Sequence, residues 1–148
     1  MQSRFATMVT GVAVALALGL ASRPVSAQTT FYSATAAESA GAPGTLIRQE
    51  PMAGAPFSAN AYRVLYRSIG LKGEPIAVSG VVIVPANPPP AAGRPIVVWA
   101  HPTSGIVPRC APSLANFFFE QVQGLRDMVR HGYVVAATDY PGLGTSAP

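Results

Sequence analysis

Apolar and polar positions change rhythm along the 148 residues, and each rhythm predicts a different element. Over residues 61–68 they alternate, with Tyr62, Val64 and Tyr66 on one side and Arg63, Leu65 and Arg67 on the other. A period of two belongs to a strand. A Gly-bearing turn, GLKGEP, covers 70–75, and residues 76–84 (IAVSGVVIV) return as a more buried strand. Two such runs across a short turn predict an antiparallel hairpin. Upstream, residues 45–50 (TLIRQE) read as a short edge strand, and residues 28–42 have no period and read as a loosely held arm. Downstream, residues 85–93 (PANPPPAAG) form a stiff, exposed connector.

The second half has a different pattern. Residues 96–100 (IVVWA) are all apolar, which suits a strand buried on both faces of a parallel sheet. The run breaks into His101-Pro102-Thr103-Ser104-Gly105, a polar turn. From Ser113 the apolar spacing becomes three and four: Leu114, Phe117, Phe118, Val122 with Leu125, Met128 and Val129. That stripe predicts one helix, with Ser113 as its N-cap and Gly132 just past its end. Residues 133–137 (YVVAA) are a second buried strand, running into the Gly-rich loop 138–144 (TDYPGLG). Strand, helix and strand make one right-handed βαβ crossover with both loops at the same carboxyl edge. Open α/β sheets carry their chemistry at that edge.

The first residues belong to a different process. Arg4 precedes an apolar run over 8–20, and Val25-Ser26-Ala27 places small residues at a cleavage position. This reads as a secretory signal peptide covering 1–27 and predicts a secreted or periplasmic product. The run is short for a membrane span. Cleavage takes the formal charge from +4 to +2, because Arg4 and Arg23 leave with the signal. The remaining cations are scattered, with no basic cluster interleaved with aromatics, so nucleic acid is not an expected partner. Two His, one Cys and six acids show no metal-ligand spacing, and no cofactor is expected. Cys110 stands alone, which in an exported chain suggests a free thiol or an intermolecular partner.

Taken together, residues 43–45, V-S-G-V-V (78–82), V-W-A-H-P-T-S-G (98–105), C-A-P-S (110–113) and G-Y-V-V-A-A-T-D-Y-P-G-L-G (132–144) resemble the N-terminal part of the secreted lipase/esterase family of the α/β-hydrolase fold. The resemblance implies an incomplete α/β sheet, an antiparallel entry hairpin followed by parallel βαβ, acting on a small-molecule ester or lipid. It divides the chain into a signal peptide (1–27), an arm with an edge strand (28–60) and the opening of the hydrolase domain (61–148). It also implies that the loop after residue 100 supplies one backbone N–H of an oxyanion hole, from Thr103 or Ser104. The chemistry asks for such a donor independently, because ester cleavage develops an oxyanion that fixed amides stabilise without reorganising. In the resembled family the cysteine of C-A-P-S can pair with one far down the chain; here no partner cysteine exists.

One departure is decisive for activity. Such enzymes carry a serine in G-x-S-x-G, followed by an acid and then a histidine. The only approximation is Gly144-Thr145-Ser146-Ala147-Pro148, which lacks the last glycine and a preceding strand. Ser146 is therefore read as a chance match, and the chain as a fragment that is inactive alone. Asp139 precedes any nucleophile and is expected to bond the loop amides around Gly142 and Gly144. His101 is not expected to be a general base, and His131 is expected to serve a helix C-terminus. Residues 142–147 match G-x-G-x-x-A with no helix pattern behind them, which argues against a dinucleotide site. Two other readings stay open: a short exported non-catalytic binding module, and a hydrolase of the same fold acting on another carbonyl substrate.

Overall fold

A computed structural model describes residues 31–56 and 58–145; the segment read as a signal peptide (1–27) and Ser146 lie outside the described residues. Five strands form one sheet: β1 (Leu46–Met52), β2 (Ala59–Ile69), β3 (Pro75–Pro85), β4 (Ile96–Trp99) and β5 (Val134–Thr138), in the order β1-β2-β3-β5-β4. The predicted hairpin is present and longer than its alternating core, with β2 and β3 paired antiparallel from Ala59↔Pro85 to Ile69↔Pro75. β1 adds to β2 as an antiparallel edge strand. β5 then inserts between β3 and β4, antiparallel to the first and parallel to the second. Parallel pairing needs a crossover, and the segment between β4 and β5 supplies it.

That crossover is not the single helix expected from the spacing. It consists of two 3₁₀ turns (Pro108–Cys110 and Pro112–Leu114), α2 (Phe118–Gln121) and α3 (Leu125–Arg130); α1 (Ala36–Ser39) lies earlier, in the arm. Gly124 has φ +73°, a left-handed conformation that interrupts the helix between α2 and α3. Ser113 does not cap a helix; its hydroxyl is bound to the carboxylate of Asp139. Most of the stripe still packs inward, because the two helical turns keep roughly the same face toward the sheet. Phe118, Val122, Leu125 and Val129 are buried against Ala61, Val81, Ile83, Trp99, Val135 and Ala137. Phe117 alone turns out, 60% exposed. Burying each of the larger side chains contributes roughly 1.5–3 kcal/mol, and an edge-to-face contact between Trp99 and Phe118 at 6.2 Å fixes their geometry.

The arm is not loosely held either. Phe31 and Tyr32 are buried, and with Leu65 they form a second cluster against Ile47, Ala77 and Leu114. Thr35 caps α1 in a capping box with Glu38. Arg48 pairs with the same Glu38, which ties the arm to β1.

β4 is not buried on both faces as its composition suggested. Val97 and Trp99 face the helices, whereas Ile96 and Val98 are 66% and 71% exposed. Among the described residues β4 has a neighbour on one side only. The apolar run reported a strand correctly, but composition alone does not count its neighbours.

Candidate active-site edge

Three loops meet at the carboxyl ends of the parallel strands. The first, residues 100–105, leaves β4; the second is the pair of 3₁₀ turns; the third, 139–145, leaves β5. Beneath them lies a buried polar knot centred on Asp139, which is 1% exposed. Its carboxylate accepts from the Ser79 hydroxyl at 2.6 Å, the Ser113 hydroxyl, and the Ser113 N–H at 3.0 Å. Its own amide donates to the Ser79 carbonyl at 2.8 Å. A buried carboxylate is costly unless it is hydrogen-bonded, and here both oxygens accept. The expectation that Asp139 binds the amides around Gly142 and Gly144 is therefore corrected: the Gly144 N–H donates to the Pro108 carbonyl instead.

Tyr32 extends the knot to the arm, with its hydroxyl 2.8 Å from the Ser113 hydroxyl. Burial pushes the Tyr32 phenol up to about 12, against the pull of the Ser113 hydrogen bond and of Arg63. Arg63 donates through Nε and a terminal nitrogen to the Ser113 carbonyl, at 3.3 and 3.2 Å, and pairs with Glu50. The knot thus joins β3, β5, the second 3₁₀ turn and the arm. The knot gives the three loops a hydrogen-bonded polar base.

Thr103 and Ser104 lie on the exposed side of the first loop. Among the described residues neither backbone N–H has an acceptor. Pro102 carries no N–H, so Thr103 offers the next amide after His101. His101, 4% exposed, sits under this loop with its Nδ1 2.6 Å from the Pro102 carbonyl oxygen. Tyr140, from the third loop, stacks on its ring at 4.1 Å and donates its hydroxyl to the His101 carbonyl at 3.0 Å. Cys110 is a free, half-buried thiol packed over Gly105, where a Cβ would fall 2.4 Å from Sγ. His131 holds the Asp127 carbonyl at the end of α3, as expected of a helix terminus. No group of three metal-ligating side chains occurs among the described residues.

Sequence reasoning missed Ser79 and Tyr140. Ser79 did leave a signal, as the one hydroxyl inside the apolar run 76–84. Tyr140 left none beyond its place after a buried strand.

An antiparallel hairpin leading into a parallel pair, with polar loops at the carboxyl edge, is the opening of an α/β-hydrolase-like sheet, incomplete in these residues. Solved structures carry the likeness. Lipase A of Candida antarctica superposes with a TM-score of 0.63 at 21% identity, over 76% of this chain and 29% of that one. The rice cell wall degrading esterase LipA of Xanthomonas oryzae superposes at 0.56 with 24% identity, over 70% of this chain and 30% of that one. The chain therefore spans less than a third of the length of these proteins. No protein-family model and no curated protein sequence matches it.

Proposed function

We propose that these residues are the oxyanion-bearing portion of a secreted serine carboxylic ester hydrolase, acting on a small ester or lipid. The observation that carries the reading is the loop after β4, where Thr103 and Ser104 are exposed and their amides have no acceptor among the described residues. A lipase and an esterase among the structural neighbours support it. In the working enzyme a serine would attack the acyl carbon, a histidine would take its proton, and the loop amide would hold the oxyanion. None of those side chains is assigned here, because the 148 residues contain no G-x-S-x-G. Among the described residues no helix is long and apolar enough to cross a membrane.

Two assays test this. The 148-residue chain should hydrolyse p-nitrophenyl butyrate no faster than background, and Ser146→Ala should change nothing. Turnover that disappears with Ser146→Ala would overturn the dismissal of that serine. The complete open reading frame containing these residues should cleave p-nitrophenyl esters in preference to aminoacyl amides. Amide-only turnover would move the reading to another carbonyl substrate.

A further inference from the structure

Two amides, Thr103 and Ser104, compete for the oxyanion role, and His101 decides between them. A carbonyl oxygen only accepts, so the 2.6 Å contact between His101 Nδ1 and the Pro102 carbonyl requires the proton on Nδ1. In the neutral ring Nε2 is then a bare acceptor, and Nε2 is the one buried side-chain polar atom without a partner among the described residues. Nothing holds the ring at that end; Nδ1 is its working atom. A trans peptide points its C=O and N–H in opposite directions, and no peptide here is cis. The Pro102 carbonyl is turned inward, to the buried ring between Trp99 and Tyr140. The N–H of the same peptide unit, that of Thr103, is therefore turned outward.

We propose that His101 is a positioning residue: as the Nδ1–H tautomer it locks the Pro102–Thr103 peptide so that Thr103, not Ser104, presents the oxyanion donor. Tyr140 completes the lock by holding the ring through stacking and the His101 carbonyl through its hydroxyl. Among the described residues no comparable bond fixes the peptide that carries the Ser104 N–H. The proposal rests on the ester-hydrolase reading for its purpose but not for its geometry.

The test reads the tautomer first. Long-range ¹H–¹⁵N correlation on the labelled 148-residue chain carrying His131→Gln leaves a single imidazole. Its Nδ1 should show the proton-bearing shift and its Nε2 the bare one. A proton on Nε2 with Nδ1 bare overturns the lock, because a bare Nδ1 cannot donate to the Pro102 carbonyl. In the complete enzyme, His101→Asn keeps a donor nitrogen near the place of Nδ1, whereas His101→Leu removes it. His101→Leu should lower kcat roughly 100-fold with KM nearly unchanged, and His101→Asn should recover most of the loss. Failure of Asn to recover more than Leu counts against the lock. An Nδ1–H tautomer with kcat indifferent to both variants upholds the lock and overturns the oxyanion reading of the loop.

Discussion

Asp139 receives three hydrogen bonds from groups far apart in the chain, and its truncation would orphan all three donors at once. Removing the carboxylate in Asp139→Ala leaves two hydroxyls and an amide dry, at roughly 1–3 kcal/mol for each group left unsatisfied. We expect Asp139→Ala to lose about 3 kcal/mol or more in urea unfolding, and Asp139→Asn, which keeps one acceptor oxygen, to lose clearly less. A loss under about 1 kcal/mol would show that the knot is not structural. Tyr32 makes a pH prediction at the same site. Its phenol ionises near 12 in the fold, against an ordinary value of 10.0. The folded state thus keeps the proton where the unfolded chain gives it up. The contribution of Tyr32 is complete below about pH 10 and drains away as pH rises toward 12. Absorbance titration should show a late phenol that is lost in Tyr32→Phe. None of this was legible in the sequence, since Ser79 lies 60 positions and Ser113 26 positions from Asp139. Local pattern places a polar residue at the end of a strand; it does not say what that residue will meet.

Elements were more legible than contacts, and the reason is periodicity. Alternation in 61–68 locates β2, and the apolar runs locate β3, β4 and β5, because each strand imposes its own repeat on the residues it buries. The crossover helix was misread for the same reason: spacing of three and four survives a break as long as both pieces keep one face inward. Gly124 marks that break by its φ of +73°, which no apolar pattern encodes. A glycine whose role is steric offers the sharper test. Gly80 in β3 lies opposite Thr138, and a Cβ there would fall 2.4 Å from the Ala137 carbonyl oxygen, a backbone atom with little room to move. Gly80→Ala should therefore lower stability by roughly 1–3 kcal/mol, visible as a drop in melting temperature. An unchanged melting point would mean that β3 and β5 separate freely at this step.

At the scale of the molecule, the described helices and arm gather on one face of the sheet, and the exposed Ile96 and Val98 of β4 lie on the other. The succession of strands along the chain, the edge position of β1 and the carboxyl-edge loops follow the sequence reading; the insertion of β5 between β3 and β4 is not part of it. The burial of β4 does not follow it, because an apolar run reports a strand without counting its neighbours. The open side of β4 has a consequence for handling the protein. An unpaired row of N–H and C=O groups flanked by bare aliphatic side chains is a template for other chains. The isolated 148-residue chain should therefore be limited by concentration before it is limited by heat. Light scattering should rise with protein concentration at temperatures well below the melt, and a hydrophobic dye should bind. A single charge, Val98→Lys, should delay the scattering while leaving the melting temperature in place. If scattering were indifferent to that lysine, stickiness would have to be sought elsewhere on the surface; if it yields, one strand edge governs how long the protein stays in solution.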